Sequence, residues 1–124
     1  MAKEKARFAY EGLDRVLHEK ARLGIVTALA TSKAPRSFTE LMGLCGLTSG
    51  NLNRHLKILE NEGFVSLHKG YERNRPLTSC RLTATGRARF QSYLDVLEGI
   101  VRDAASAEPR EDAAEPASVR SADA

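Results

Sequence analysis

Between residues 47 and 65 the apolar positions repeat with the spacing of an α-helix. Three leucines at i, i+4 and i+7 form one apolar stripe: Leu52, Leu56 and Leu59. Thr48 is a suitable N-cap, because its hydroxyl can accept a hydrogen bond from a free amide of the first turn. Gly63 suits the end of the helix, since glycine readily takes the left-handed conformation found there. The pattern predicts a helix from Thr48 to about Asn61.

The face of this predicted helix opposite the leucines carries four residues, none of which is acidic. Its side chains are those of Asn53, Arg54 and Lys57, with Gly50 near the start. Asparagine and arginine can form paired hydrogen bonds with base edges, so the face is suited to a DNA major groove. A solvated surface helix without a partner is the alternative, and the flanking segments are needed to choose between the two.

The segment before this helix predicts a helix-turn-helix. A short helix is expected to begin at Thr39 and to run to about Cys45, with Leu41 and Leu44 also on its inner face. Gly46 then makes a tight break before the next helix. Two helices joined by a turn of about three residues that contains glycine form a helix-turn-helix, in which the second helix is presented for recognition.

After the second helix the apolar period changes to two, which predicts a β-hairpin. Residues 64–69 suit one strand and residues 77–82 the returning strand. The segment between them, residues 70–76, is rich in turn formers and carries Arg73, Asn74 and Arg75. A hairpin with a basic, flexible tip directly after a recognition helix is a wing. The expected fold class is therefore mainly α with a small β-hairpin, an α+β winged helix-turn-helix.

Further helical segments are predicted on both sides of this unit. Residues 20–31 suit a largely buried helix, and residues 1–18 show weaker helical spacing that Gly12 interrupts. A final helix follows Thr83 and carries a long apolar stripe. Because an exposed strip of that length would be a liability, we expect a second copy of the chain to cover part of it. The residues assigned to dimerisation are Phe8, Leu13, Phe90, Tyr93, Leu94, Leu97, Ile100 and Val101.

Composition and charge indicate one domain with a basic body and an acidic tail. The chain has 124 residues and a formal net charge of +3. Residues 105–124 hold five acidic and two basic residues, which leaves a net charge of +6 on residues 1–104. A basic body favours a polyanionic partner. The domain is expected to span residues 1–104, with residues 105–124 disordered because they bury too little apolar surface.

Other function classes find little support. No apolar segment reaches the roughly 18 residues that a membrane span needs, and no signal peptide is recognisable, so a cytoplasmic location is expected. Cys45 and Cys80 suit reduced, largely buried thiols, and His55, beside the leucine stripe, suits a packed side chain. The histidines and cysteines lack zinc-site spacing, and no catalytic or phosphate-loop motif is present. We therefore expect no enzyme activity, metal or cofactor.

A resemblance to a known group lies in two segments, RLGIVTALATSKAPRSFTELMGLCGLTSGNLNRHLKILENEGFVSLHK and, after the wing, RLTATGRARF. Together they resemble the small winged-helix regulators related to the MarR and ArsR families, over roughly residues 13–101. The resemblance implies a homodimer, joined through its terminal helices, that binds a pseudo-palindromic DNA duplex, usually as a repressor. It also leaves room for a small-molecule effector between the terminal helices and the core, whose chemistry no residue specifies.

Two departures from those families bear on function. MarR-type wings commonly have an aspartate two residues before an arginine that inserts into the groove, whereas here Arg73 lies two residues before Arg75. Glu72 is the only carboxylate near it in sequence, so the residue that braces the arginine in those wings has no equivalent at position 73. ArsR-type metal sensors carry a cysteine pair in the recognition region, which this chain lacks, and metal sensing of that kind is therefore disfavoured.

The candidate DNA-binding residues fall on the predicted recognition helix and wing. They are Ser49, Gly50, Asn51, Asn53, Arg54, Lys57, Lys69, Arg73, Asn74 and Arg75. Arg54 is the strongest candidate for reading bases, while Lys69 suits a phosphate contact. The alternative is a winged helix that docks a protein partner, against which the basic helix face and the basic body argue.

Overall fold

The computed structural model describes residues 5–106, which form four helices and a three-stranded antiparallel sheet. In chain order the elements are α1 (Lys20–Ala30), β1 (Arg36–Ser37), α2 (Phe38–Cys45), α3 (Ser49–Asn61), β2 (Val65–Glu72), β3 (Arg75–Leu82) and α4 (Ala84–Ala105). The predicted α+β winged helix is confirmed. Of these helices, none is long and apolar enough to cross a membrane.

The segment expected to be disordered, residues 105–124, falls almost entirely outside the described residues. Ala105, its first residue, is instead the last residue of α4. The helix continues this far because alanine has the highest helix propensity of the common residues.

The hydrophobic core is built around the leucine stripe of α3. Leu52, Leu56 and Leu59 are at most 1% exposed. They belong to one cluster with residues from α1, α2, the two long strands, α4 and the segments between them: Leu17, Ile25, Val26, Leu29, Leu41, Phe64, Val65, Cys80, Phe90 and Tyr93. Burial of each leucine contributes on the order of 1.5–3 kcal/mol, so the stripe fixes which side of α3 faces inward.

The start of α2 differs by one residue from the prediction. The helix begins at Phe38 instead of Thr39, and Ser37 is its N-cap. The Ser37 Oγ accepts a hydrogen bond from the Glu40 amide at 3.0 Å. The Glu40 carboxylate accepts one from the Ser37 amide at 3.4 Å, which completes a capping box. A capping box needs a glutamate or glutamine three residues after the cap, and Glu40 stands three residues after Ser37.

Leu44 is exposed, so its predicted place on the inner face of α2 is wrong. Its side chain is 58% exposed. The face of α2 that packs on the core is formed by Phe38, Leu41, Met42 and Cys45. Successive residues of a helix are rotated by about 100°, which carries Leu44 outside that face.

The sheet has the strand order β1–β3–β2, and both pairings are antiparallel. The long hairpin pairs from Val65 with Leu82 at its base to Glu72 with Arg75 at its tip. Only Arg73 and Asn74 form the turn, with φ angles of 54° and 64°, as a type I′ turn requires. The turn is therefore shorter than the predicted segment 70–76, because two consecutive left-handed residues allow the strands to continue to it.

The helical spacing of residues 1–18 does not produce a helix in the described part, residues 5–18. The described part of this segment forms turns, and α1 begins at Lys20 with Glu19 as its N-cap. The Asp14 carboxylate accepts a hydrogen bond from the Val16 amide at 2.9 Å. A side-chain acceptor of this kind offers the backbone an alternative to helical hydrogen bonds.

Instead of forming a helix, the N-terminal segment lies along α4. Three side-chain contacts hold the two together: the Tyr10 hydroxyl donates to Asp103 at 2.5 Å, Arg89 pairs with Asp14 at 3.0 Å, and His18 Nδ1 lies 2.8 Å from the Tyr93 hydroxyl. The chain thereby covers part of the apolar stripe of α4 with its own residues.

The first turn of α4 packs directly against the backbone that follows α3. A Cβ placed on Gly86 would lie 2.2 Å from the carbonyl oxygen of Phe64. The Thr83 hydroxyl accepts a hydrogen bond from the Gly86 amide at 2.8 Å and donates one to the Gly63 carbonyl at 2.6 Å. Glycine is required at position 86 because any side chain would push α4 away from α3.

We predict that Gly86→Ala lowers the free energy of unfolding by about 1–3 kcal/mol or more, as overpacking against a rigid neighbour does. Gly99→Ala, also in α4, is the matched control, since its Cβ would have no atom within 4 Å. The control should be neutral or stabilising by up to about 1 kcal/mol, because alanine favours helix. Urea unfolding followed by circular dichroism at one protein concentration measures both. Equal unfolding free energies for the two variants would contradict the close approach of Gly86 to the Phe64 backbone.

Candidate nucleic-acid interface

The outer face of α3 presents the predicted polar residues to solvent. Asn53, Arg54 and Lys57 are all exposed, since the leucine stripe turns the opposite side of the helix inward. Arg54 Nη2 donates a hydrogen bond to Asn51 Oδ1 at 3.3 Å. This contact between side chains one turn apart holds the guanidinium on the outer surface of the helix, where its other N–H groups have no acceptor among residues 5–106.

The first turn of α3 can hold an anion through its backbone. The Thr48 hydroxyl accepts a hydrogen bond from the Asn51 amide at 3.2 Å, which confirms Thr48 as the N-cap. Ser49 and Gly50 are both exposed at the start of the helix. Because their amides precede the first intrahelical donor, they are able to bind a phosphate oxygen.

A cleft between α3 and the sheet joins the helix face to the wing. Asn53 and Lys57 lie on its α3 side, and Lys69 and Thr78 lie on its sheet side. The cleft has a volume of about 450 Å³. One carboxylate, that of Glu60, also lines it. Side chains from two separate elements thus converge on a groove in which lysines outnumber the carboxylate.

The strand register explains why Lys69 lies on this side of the sheet. Lys69 pairs with Thr78 and shares a face with buried Val65, because alternate residues of a strand point the same way. The next residue on that face is Tyr71, which is 79% exposed. Thr78 and Tyr71 were not among the sequence candidates. The cross-strand register brings Thr78 beside Lys69, and the alternation along β2 places Tyr71 next on the same face.

The wing tip carries the three residues that the sequence singled out. Arg73, Asn74 and Arg75 are all exposed at the turn. Glu72 is the cross-strand neighbour of Arg75. Within the part of the chain that the structure describes, Arg75 forms no ion pair with it or with another carboxylate. The guanidinium groups at the tip are therefore available to an external anion.

His55 fixes α3 to the start of α1 from the buried side. It is 6% exposed, and its Nδ1 lies 3.2 Å from Arg22 Nη1 and 3.8 Å from a Glu19 carboxylate oxygen. Because arginine can only donate, the Nδ1 atom accepts and the ring is neutral. Burial lowers the pKa of His55; Glu19 opposes the shift, while Arg54 and Arg22 add to it. The expectation of a packed histidine is confirmed.

The two thiols are poorly suited to redox or metal chemistry. Burial raises the pKa of Cys80 to about 12, with a further contribution from the charge of Glu60. Burial also raises the pKa of Cys45, against an opposing effect of Arg36. The thiolate is the reactive form of cysteine, and it is disfavoured at both positions. Among residues 5–106, no group of His, Cys, Asp or Glu side chains could hold a metal ion.

The residues assigned to dimerisation separate into buried and accessible groups. Phe90 and Tyr93 are 8% and 1% exposed and belong to the core of their own chain. Their side chains are already covered, so the assignment of these two residues to a dimer face is withdrawn. Leu13, Leu97 and Ile100 are half-buried, whereas Phe8, Leu94 and Val101 are 62%, 36% and 64% exposed.

A protein family described as a winged helix DNA-binding domain matches residues 21–101, which contain all four helices except the ends of the first and last. The chain belongs to this winged helix DNA-binding family. The family segment includes α3, the wing and the cleft between them. The resemblance to small winged-helix regulators is thereby confirmed.

Individual relatives agree with this membership. The chain is 40% identical over 57 residues to an uncharacterized protein of Methanocaldococcus jannaschii, a match that covers 46% of this chain. This chain spans only 62% of the length of the Methanocaldococcus jannaschii protein. A transcriptional regulator homologue from Pyrococcus horikoshii has a TM-score of 0.66 and 28% identity, over 74% of this chain and 89% of that chain.

The fold is also shared with a regulator solved together with DNA. The transcriptional regulator MOSR of Mycobacterium tuberculosis, in a complex with DNA, has a TM-score of 0.58 over 98% of this chain and 86% of that chain. The sequence identity is 21%. At that identity the likeness concerns the winged helix fold alone.

We predict that the buried, neutral His55 makes stability depend on pH. An unfolded histidine titrates near pH 6.5, and the folded pKa of His55 is lower. Between the two values the unfolded chain binds more protons, so the free energy of unfolding falls as pH decreases from about 6.5 toward the folded pKa. Above both values His55 contributes no slope.

The variant His55→Gln keeps an acceptor for Arg22 and removes the titration, so its unfolding free energy should change less between about pH 7 and pH 5. His68→Gln, at an exposed position of β2, is the control and should keep the slope of the unsubstituted protein. Chemical unfolding at several pH values gives the comparison. An identical slope in all three proteins would show that His55 does not titrate in this range.

Proposed function

We propose that this protein is a homodimeric transcriptional regulator, acting as a repressor, that binds double-stranded DNA through α3 and the β2–β3 wing. The observation that supports the proposal best is the cleft between α3 and the sheet. There Asn53 and Lys57, on the outer face of the helix, meet Lys69 of the wing, and Glu60 is the single carboxylate among the lining residues. Helix and wing thereby form one continuous surface that is suited to a polyanion.

The dimensions and chemistry of this surface match duplex DNA. A major groove about 12 Å wide accepts one α-helix. In that position Arg54 and Asn53 would contact base edges, while Lys57 and Lys69 would contact phosphates on either side of the cleft. The wing tip would reach the minor groove or the backbone, because arginine is favoured by the negative potential of a narrow minor groove.

The related structures support a role in transcription. The Pyrococcus horikoshii protein is described as a transcriptional regulator homologue, and the Mycobacterium tuberculosis regulator was solved in a complex with DNA. The repressor role rests on the sequence resemblance to small winged-helix regulators, for which it is the usual activity. A small-molecule effector would be compatible with this class.

Exposed apolar side chains on α4 and the N-terminal segment support a homodimer. Phe8, Leu94 and Val101 leave apolar surface in contact with solvent, and the last two lie on one side of α4 because they are seven residues apart. A second copy of the chain would cover this strip. Two α3 helices placed about 34–36 Å apart would then enter successive major grooves on one side of the duplex.

We predict that Arg54→Ala reduces sequence preference more than general affinity. Losing paired hydrogen bonds to a base should cost about 1–3 kcal/mol on the preferred duplex and much less on a random one. The preferred duplex is first obtained by selection from a random library, and gel shifts then compare the two. Equal losses on both duplexes would argue against base reading by Arg54.

The matched variants are Lys69→Ala and Arg15→Ala. Lys69→Ala should weaken binding to both duplexes alike and reduce the magnitude of the salt slope by about one. Arg15, an exposed cation before α1, lies outside the proposed surface, and its substitution should change neither. Binding of the unsubstituted protein should fall by orders of magnitude between about 50 and 200 mM salt. No duplex binding at low salt would overturn the proposal and favour a protein partner.

We predict that Leu94→Asp converts the dimer to a monomer, because a carboxylate would be desolvated at the apolar contact. Ser92→Asp introduces the same charge on another side of α4, at an exposed position, and should leave the dimer intact. Sedimentation equilibrium measures the mass of each variant. The circular dichroism spectrum should be unchanged, since Leu94 is outside the buried core. A dimer that tolerates Leu94→Asp would place the contact elsewhere.

A further inference from the structure

A second basic cleft lies at the end of the sheet farthest from the wing tip. Its cationic residues come from three places: Lys33 from the loop after α1, Arg81 from the end of β3, and Arg87 from the first turns of α4. Leu29 and Leu82 provide apolar lining. The cleft has a volume of about 210 Å³.

The strand register separates this cleft from the candidate DNA surface. Leu82 pairs with Val65 at the base of the hairpin, whereas the turn lies at the other end of β3. At about 3.4 Å per residue, Arg81 lies about 20 Å along β3 from Arg75 at the turn and about 10 Å from Thr78 of the α3 cleft. Thr78 and Leu82 lie on one face of β3, and Arg81, an odd number of residues from each, lies on the other. The Arg81 side chain therefore leaves the sheet on the face opposite the α3 cleft.

The three cations of this cleft have no counter-charge from the residues that the structure describes. No carboxylate lines the cleft. Within residues 5–106, Lys33, Arg81 and Arg87 form no ion pair. Like charges brought together at one cleft repel one another, and an anion bound between them would relieve this repulsion.

Other arginines of the same chain show the contrasting arrangement. Arg22, Arg36 and Arg89 each lie within 4.0 Å of a carboxylate, those of Glu19, Glu40 and Asp14 respectively. Each of these three also donates a hydrogen bond to a backbone carbonyl. Cations that serve the fold are therefore paired, whereas Lys33, Arg81 and Arg87 share one cleft and have no carboxylate partner among the described residues.

We propose that this cleft binds the phosphate group of a small phosphorylated organic molecule. A phosphate dianion matches a cleft lined by three cations and no carboxylate, and arginine binds phosphate through two parallel hydrogen bonds. The volume is smaller than the roughly 300–1,000 Å³ of pockets for drug-sized ligands. It exceeds the roughly 150 Å³ of a cavity that holds benzene. The size therefore suits one phosphate with one small organic group against Leu29 and Leu82.

The ligand would connect the loop after α1 to the adjoining ends of β3 and α4. Lys33 follows α1, Arg81 ends β3 and Arg87 belongs to α4. A phosphate held by all three would restrain the loop after α1 relative to α4. The site is separate from the proposed DNA contacts, and its existence does not depend on them.

The test is a titration of the full, isotope-labelled chain, with amide chemical shifts recorded at constant ionic strength. Phenyl phosphate and inorganic phosphate are the two probes. We expect saturable shifts centred on residues 32–35 and 81–87, with tighter binding of phenyl phosphate because its ring adds contact with the leucines. Equal affinities would overturn the organic part of the proposal and assign the site to free phosphate. Shifts centred on α3 or the wing would overturn the site itself.

Variants provide the second arm of the experiment. Arg87→Gln should weaken phenyl phosphate binding by roughly three- to tenfold, the loss expected for a partly exposed charge-assisted hydrogen bond. Lys20→Gln removes one charge at an exposed position of α1 outside the cleft and should leave the affinity unchanged. Lys33→Gln, in an exposed loop, tests the site without altering a helix or strand. Unchanged affinity in both Arg87→Gln and Lys33→Gln would overturn the proposal.

Discussion

Burial of the leucine stripe of α3 is the interaction on which the rest of this structure depends. Leu52, Leu56 and Leu59 are in contact with the central cluster, and their burial is worth several kcal/mol in total at the usual value per side chain. Rotating α3 to bury its other side would expose these leucines and desolvate Arg54 and Lys57. The apolar side of the helix therefore decides which side faces a partner, although it touches no partner itself.

The cations of the chain divide according to whether the fold uses them. Arg22, Arg36 and Arg89 connect α1, α2 and α4 to neighbouring segments through carboxylates and backbone carbonyls. The cations of α3 and the wing tip form no ion pair within the described residues. The net charge alone does not reveal this division. Because the paired cations are neutralised by neighbouring carboxylates, a domain with a modest net charge can still present a basic surface on one side.

The sheet separates the two basic clefts and links them mechanically. One face of β3 contributes Thr78 to the cleft beside α3, and the opposite face contributes Arg81 to the cleft beside α4. At the base of the hairpin, Gly86 allows α4 to touch the backbone at Phe64. A movement of α4 would therefore press on the segment that joins α3 to the wing. This close contact is a direct physical connection between the terminal helix and the proposed DNA surface.

The sequence alone determined the features that depend on local periodicity and capping. The helix capped by Thr48, its inner leucines and its polar outer face followed from helical spacing, and the wing followed from the change of period after Gly63. Tertiary structure decided the rest, because the deciding contacts join residues far apart in the chain. Asp14 pairs with Arg89, 75 residues later, and the described N-terminal segment lies along α4 without forming a helix. Phe90 and Tyr93 carry the same apolar pattern whether they face their own core or a second chain, and only the packed fold shows that they are buried within their own chain.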